Sequence, residues 1–180
     1  MLNRTLDTSR LILCPIALED AGALHREMTW EVVRWLSPVP WPQPLAAMRG
    51  FCARAAEDMR RGAAAHHVVL ADGRTAGLIS LMPADGAMEL GYWLGPSFWG
   101  RGLMSEAAET YVDAFFAETQ AVHMTSGVFA DNRRSLRIQE RLGFVVVGEG
   151  LKFSKAHGRY LPHVTTMLGR ARRRQPALAA

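Results

Sequence analysis

Gly100-Arg101-Gly102 is the stretch of this chain best suited to chemistry, because two glycines and an arginine stand directly ahead of a helical pattern. Ala108, Tyr111, Val112 and Phe115 recur at helical spacing, so the helix begins close to Met104-Ser105-Glu106. Glycine ahead of a helix admits positive φ and lets a ligand approach the main chain, while the first-turn N–H groups and the helix dipole point forward. Such a place suits an anion, and Arg101 adds a positive charge of the kind that pairs with a diphosphate. Two phosphate chemistries are disfavoured. No lysine follows Gly102 as a nucleotide-triphosphate loop requires, and Ser105 stands where a dinucleotide fold needs its third glycine. Taken alone, the two glycines are equally compatible with a tight connection.

The elements that must position this loop can be read in order. An apolar, aromatic strand over 87–94 is interrupted by Gly91 and closed by Gly95-Pro96. Ahead of it the patterns predict a strand over 10–16, helices over 20–28 and 45–61, and strands over 66–70 and 76–82. Asp72-Gly73 and Asp85-Gly86 supply hairpin turns. After the loop come a helix over 106–117, a strand over 123–129, a helix over 135–142, a strand over 145–150 and a last strand near 163–168. The expected fold class is α/β (α+β): a mixed, mostly antiparallel twisted sheet of about six to seven strands with helices on both faces. Between the first two helices, Trp30, Trp35 and Trp41 lie close to Pro38, Pro40, Pro42 and Pro44, a stiff segment that the prolines exclude from regular helix and from a central strand. Its rings either cap the edge of the core or wall an acceptor pocket.

At 180 residues and 19.9 kDa the chain is read as one domain over 1–170 with a basic, flexible C-terminal tail over 171–180. The net charge of +4 is carried almost wholly by arginine, Lys152 and Lys155 being the only lysines. The arginines are spread along the chain, which favours a solvated basic surface over a nucleic-acid site. The dense run Arg170 to Arg174 is the exception; it reads first as tail and second as a contact for RNA or another acidic partner. Cys14 and Cys52 lack metal-like or Cys-x-x-Cys spacing and read as buried thiols, so no metal is expected. No signal peptide or apolar run near 20 residues is visible, so a cytoplasmic protein without a membrane partner is expected.

Glu89-Leu90-Gly91-Tyr92-Trp93-Leu94 followed by Phe98-Trp99-Gly100-Arg101-Gly102-Leu103-Met104-Ser105-Glu106-Ala107 resembles the acetyl-CoA motif of the GNAT N-acetyltransferases, in the form of RimJ/RimL-type members. Asp131-Asn132-Arg133-Arg134-Ser135 and then Arg141-Leu142-Gly143-Phe144 resemble the second signature of that family, and the likeness runs over residues 8–170, including Thr8-Ser9-Arg10-Leu11-Ile12-Leu13. The resemblance implies acetyl-CoA as co-substrate, no metal, and transfer of the acetyl group to a primary amine, either a protein N-terminal α-amine or a small-molecule amine, by direct attack on the thioester. It also implies a splay between the fourth and fifth strands. Backbone groups of Tyr92, Trp93 and Leu94 would pair with the pantetheine amides, and a backbone N–H near Gly91 would polarise the carbonyl. The loop from Trp99 through Gly100, Arg101, Gly102, Leu103 and Met104 to Ser105 would hold the diphosphate, with Asn132 and Ser135 near the thiol. Trp30, Trp35, Trp41 and Tyr92 would face the acceptor.

Three positions depart from the family pattern: Trp99 replaces a glutamine, Met104 a small residue, and Gln139 a tyrosine that donates the proton to the leaving thiolate. Ser135 is then the candidate acid; alternatively Ser135 and Asn132 are ordinary caps at a helix start. Glu89, opposite in facing to Leu90, is either the base or a solvated strand carboxylate. Of the adjacent pair His66 and His67 one faces the cleft or both are structural, and His163 stands where the family commonly has an aspartate. Two other classes remain open: a non-catalytic acyl-CoA sensor or interaction module, and an RNA binder acting through the arginine tail. A homodimer is compatible with all of these.

Overall fold

Eight strands form, β1 (Leu6–Asp7), β2 (Leu11–Pro15), β3 (Ala65–Ala71), β4 (Arg74–Ala84), β5 (Ala87–Leu94), β6 (His123–Phe129), β7 (Val145–Ser154) and β8 (Arg159–Gly169), in a computed structural model that describes residues 2–173. The helices are α1 (Ala21–Glu27), α2 (Trp30–Val33), α3 (Leu45–Arg60), α4 (Leu103–Glu118), α5 (Arg133–Leu142) and α6 (Arg170–Arg173). One sheet results, in the order β1-β2-β3-β4-β5-β6-β8-β7. Every pairing is antiparallel except β5 with β6, which run parallel. That parallel pair registers at only two positions, Glu89 with Thr125 and Leu90 with Ser126. Beyond Leu90 the two strands part.

The mixed, mostly antiparallel architecture agrees with the sequence expectation, and the count rises to eight because β1 was not anticipated. Its two residues pair Leu6 with Leu13 and Asp7 with Ile12, too short a run for alternation to reveal. The hairpin turns have positive φ at both central residues, Asp72 and Gly73 in one and Asp85 and Gly86 in the other, which is the twist that joins antiparallel strands directly. One expectation is corrected. The segment from Trp30 was excluded from regular helix, yet Trp30–Val33 makes one helical turn, because the prolines begin only at Pro38 and leave its N–H groups free to donate.

Strand alternation sends side chains into two cores on opposite faces of the sheet. Leu81, Leu90 and Leu94 pack with Tyr111, Val112 and Phe115 of α4, while Leu78 and Trp93 pack with Leu24 of α1 and with Met48 and Cys52 of α3. Burying each large apolar side chain stabilises by about 1.5–3 kcal/mol. The Cys52 thiol is fully enclosed and burial pushes it up to about 11, while Cys14 is only half-buried. At the far end of α4, Arg170 donates to the carbonyls of Ala121, Phe116 and Thr119 at 2.8, 2.6 and 2.6 Å, satisfying one acceptor of the helix's last turn and two of the loop that follows. Arg173 reaches Asp113 and Glu109 of the same helix. The first residues of the expected tail therefore continue a helical turn, and residues 174–180 lie outside the described part.

The central strands approach closely at one glycine. β4 carries an extra residue opposite Val69 and Leu70, and beside it a Cβ on Gly77 would lie 2.1 Å from the Trp93 carbonyl oxygen. That partner is backbone of the neighbouring strand and cannot swing away. Gly77→Ala should lower stability by about 1–3 kcal/mol, seen as a drop of several degrees in the thermal unfolding midpoint. An unchanged midpoint would mean that β4 and β5 separate without cost.

Candidate active site

The parting of β5 and β6 opens a cleft of about 1320 Å³ that passes from one face of the sheet to the other. Ser126 Oγ donates to the Leu90 carbonyl at 2.8 Å, so that carbonyl faces β6. Backbone groups alternate in direction along a strand, so the N–H and C=O of Tyr92 face the same way, at a level where β6 has already left. Trp93 directs its backbone groups to β4, and the Leu94 carbonyl already accepts from Trp99 Nε1 at 2.7 Å. Of the three residues expected to bind a ligand like an added strand, Tyr92 presents both its backbone donor and its acceptor to the gap.

The root of the gap is closed by buried side chains. Gln139 of α5 donates to Ser126 Oγ at 2.9 Å and accepts from Thr166 Oγ1 at 2.8 Å, tying β5, β6, β8 and α5 together at the last paired position. Gln139 is thus a fastening, and every polar atom of the cluster has a partner. The hydroxyl on this face belongs to Tyr92, which sits 3.0 Å from Ser135 Oγ and 3.2 Å from the Ser135 carbonyl. Burial pushes the Tyr92 phenol up to about 12, so it stays protonated. When its hydrogen goes to Ser135 Oγ, the hydrogen of Ser135 is free to point into the cleft. Capping falls to Asn132, whose Oδ1 accepts from the Ser135 N–H at 3.2 Å.

The opposite face carries Glu89, which lines the cleft together with Gly127, Phe129, Lys152 and His163. Its wall is built by Met28, Val32, Trp35, Pro38, Pro40 and Phe51. Trp35 is thus at the cleft, whereas Trp30 stacks at 6.1 Å on Trp41 and at 5.2 Å on His157, and neither Trp30 nor Trp41 lines it. Those two rings pin the β7–β8 turn to the proline segment, with the Lys155 N–H donating to the Ser37 carbonyl at 3.1 Å. His66 and His67 are buried and structural: His66 pairs with Ser80 Oγ, and burial pushes His67 down to about 4 between Tyr111 and the Arg4 carbonyl.

At the mouth of the cleft, Gly100 and Gly102 both take left-handed φ, and Gly102 is the N-cap of α4. A Cβ on Gly100 would meet nothing within 4 Å, so the loop leaves open space before the first-turn amides of Leu103, Met104 and Ser105. Open space in front of main-chain N–H donors at a helix start suits an anionic group. Arg101 points elsewhere, pairing with Asp72 at 3.0 Å, and Arg10 braces the loop from behind by donating to the Arg101 carbonyl at 2.9 Å. Leu103 and Met104 are buried beneath the loop, while Trp99 lies under the Arg134 guanidinium, 5.0 Å away. Among the described residues no group of three or more His, Cys, Asp or Glu is placed to hold a metal ion. Among the described residues no helix is long and apolar enough to cross a membrane.

The Acetyltransferase (GNAT) domain family matches residues 10–145 of this chain. An uncharacterized N-acetyltransferase, p20, of Bacillus licheniformis is 26% identical over 163 residues, spanning 87% of this chain and 91% of the relative. Among solved structures, the ribosomal L7/L12 α-N-protein acetyltransferase RimL in complex with coenzyme A superposes with a TM-score of 0.81 at 20% identity, over 92% of this chain and 97% of that one. The microcin C7 self-immunity acetyltransferase MccE in complex with acetyl-CoA and AMP gives 0.76 at 18%, over 90% and 93%.

Sequence reasoning missed the Tyr92 hydroxyl and the fastening by Gln139; the alternation that puts Tyr92 on the Leu90 face was the available signal for the first. The opening Thr8-Ser9-Arg10 gains its explanation from Glu106 in the first turns of α4. Burial works against that carboxylate, but hydrogen bonds from Thr8, Arg10 and Ser9 overcome it and hold the carboxyl at about 2. A depressed pKa adds stability above the unfolded value near ~4.3 and loses it as pH falls through the folded one. Glu106→Gln should therefore be less stable than the parent at pH 7, with the gap closing between about pH 4 and 2 in denaturant titrations. A gap independent of pH would show that charge is not what Glu106 contributes.

Proposed function

We propose, from the premise that this chain belongs to the GNAT acetyltransferase family, that it moves the acetyl group of acetyl-CoA to a primary amine at the β5–β6 gap. The observation that carries this reading is the unpaired stretch of β5 at Tyr92, with hydroxyls on one face of the sheet and a carboxylate on the other. Pantetheine amides would complete the ladder at Tyr92, and the diphosphate would lie on the amides of Gly100 to Ser105. The amine attacks the thioester carbon from the Glu89 face; the C–N bond forms, the C–S bond breaks, and the thiolate departs toward Ser135. A thiol with a pKa near ~8.5 leaves readily, so a hydrogen bond from Ser135, itself held by Tyr92, is sufficient acid.

An α-amine suits this site better than a lysine. With a pKa near ~7.8 roughly a seventh of it is free at neutral pH, against less than about one part in a thousand for an ε-amine. A protein N-terminus and a small-molecule amine both fall in the accepted class, and the Trp35–Pro40 wall would choose between them. Residues 1–170 act as one catalytic unit in this reading, in the cytoplasm where acetyl-CoA is made available, as a monomer or homodimer.

Calorimetric titration with acetyl-CoA and free CoA, NADH serving as control, tests the carrier site; micromolar binding of both CoA species and not of NADH is expected. Gly102→Asp should abolish it by placing charge and bulk at the amide cradle, with folding checked by circular dichroism. Ser135→Ala and Tyr92→Phe should each lower kcat by roughly 10²-fold while leaving CoA affinity nearly unchanged. Unchanged turnover in both would remove the hydroxyl pair from the reaction, and binding without turnover on any amine would favour a non-catalytic acyl-CoA sensor.

A further inference from the structure

His163 is drawn into the cleft by a neighbour that has no side chain. Glu89 pairs with Thr125 across β5 and β6, and His163 pairs with Phe129 across β6 and β8, so period-two alternation places Glu89, Gly127 and His163 on one face of the sheet. The imidazole leans back over Gly127: a methyl group there would lie 2.8 Å from both Cε1 and Nε2 of His163 and 3.8 Å from Glu89 Oε1. Phe129 holds the ring edge-on at 5.8 Å. Both polar side chains line the cleft on the face opposite Tyr92 and Ser135.

We propose that His163 Nε2 takes the proton from the acceptor ammonium and that Glu89 holds that ammonium beside it. The inference rests on the acetyltransfer reading and adds the proton acceptor to it. The ammonium gives one N–H proton to neutral His163 and its freed lone pair forms the C–N bond; the C–S bonding pair leaves on sulfur toward Ser135, the second proton shed by the nitrogen passes through water to that thiolate to give the thiol, and the imidazolium returns its proton to water. Imidazole, with an ordinary pKa near ~6.5, is a stronger base than a carboxylate near ~4.3, which better fits proton removal from an amine. The charged groups that face the ring are Glu89 on β5 and Lys152 on β7, whereas Glu149, the partner of Val164, turns to the other face. Burial and then Lys152 lower the pKa of His163, keeping it neutral and ready to accept at pH 7. Gly127 is the positioning residue that gives the ring its place.

The test uses the full chain with acetyl-CoA and the best acceptor from a panel of dipeptide α-amines and small primary amines. Wild-type kcat/KM should rise with pH to a plateau through an inflection below 6.5. His163→Asn should lower kcat by roughly 10²-fold, keep CoA affinity, and lose that inflection. In His163→Ala, added imidazole should restore part of the rate, and Gly127→Ala should cut kcat by displacing an intact ring. Glu89→Gln should mainly raise KM. Retention of rate and inflection by His163→Asn overturns the proposal, as does loss of the inflection in Glu89→Gln alone, which would make the carboxylate the base. An active wild type with an indifferent His163 sinks only this inference, whereas a wild type that acetylates no amine sinks the acetyltransfer reading with it.

Discussion

The structure depends on a strand pairing that stops after two residues. Backbone N–H and C=O groups must find partners, and an unpartnered one in a protein interior costs about as much as a lost hydrogen bond. β5 and β6 leave such groups at Tyr92 by separating beyond Leu90 and Ser126. The chain tolerates this because the gap opens into a cleft and because Gln139, Ser126 and Thr166 lock the last paired level. Parallel strands also need a crossover, and here it is α4. A crossover helix that leaves the carboxyl end of β5 must begin where the strands diverge, so the amide cradle at Gly102 and the unpaired edge at Tyr92 are neighbours by topology.

Alternation along β5 then divides the chemistry between two faces. Leu90, Tyr92 and Leu94 turn toward α4 and α5, while Glu89 and Trp93 turn toward the α1 and α3 side. Groups able to stabilise a leaving thiolate and groups able to receive a proton are thus kept apart by the sheet itself. Nothing has to move to prevent the Ser135 hydroxyl from pairing with the Glu89 carboxylate. In the proposed reaction the acceptor and the leaving sulfur approach the carbonyl from opposite sides of one sheet.

Much of this was legible because it is local. The glycines, the hairpin turns, the order of elements and the facing of Glu89 follow from φ preferences and periods of two and 3.6, which act over a few residues. What escaped is long-range. Tyr92 meets Ser135 across 43 positions, Glu106 meets Thr8 across 98, and Gln139 meets Thr166 across 27. The sequence reading of Gln139 turns on what it lacks as an acid; its amide offers a donor and an acceptor on separate atoms, which here bond Ser126 and Thr166 at the base of the splay. Trp30 and Trp41 were read by ring type, but their positions are set by the β7–β8 turn that lands on them.

The departures at the glycine loop compensate one another. Arg101 was expected to supply charge to the ligand and instead pairs with Asp72, so the loop offers backbone amides and a helix dipole rather than a guanidinium. Amides bind an anion well only if they are held in place. Trp99 does part of this by bonding the Leu94 carbonyl, and Met104 does part by filling the core under the first turn. Arg10 completes it from outside, with its guanidinium shared between the Arg101 carbonyl and Glu106. Cationic side chains enter from the other wall, where Arg134, Arg137 and Arg141 of α5 line the cleft and Arg134 lies over the Trp99 ring. The loop is thereby fixed by packing, and the cationic charge beside it is supplied by α5, a helix whose start Asn132 also caps.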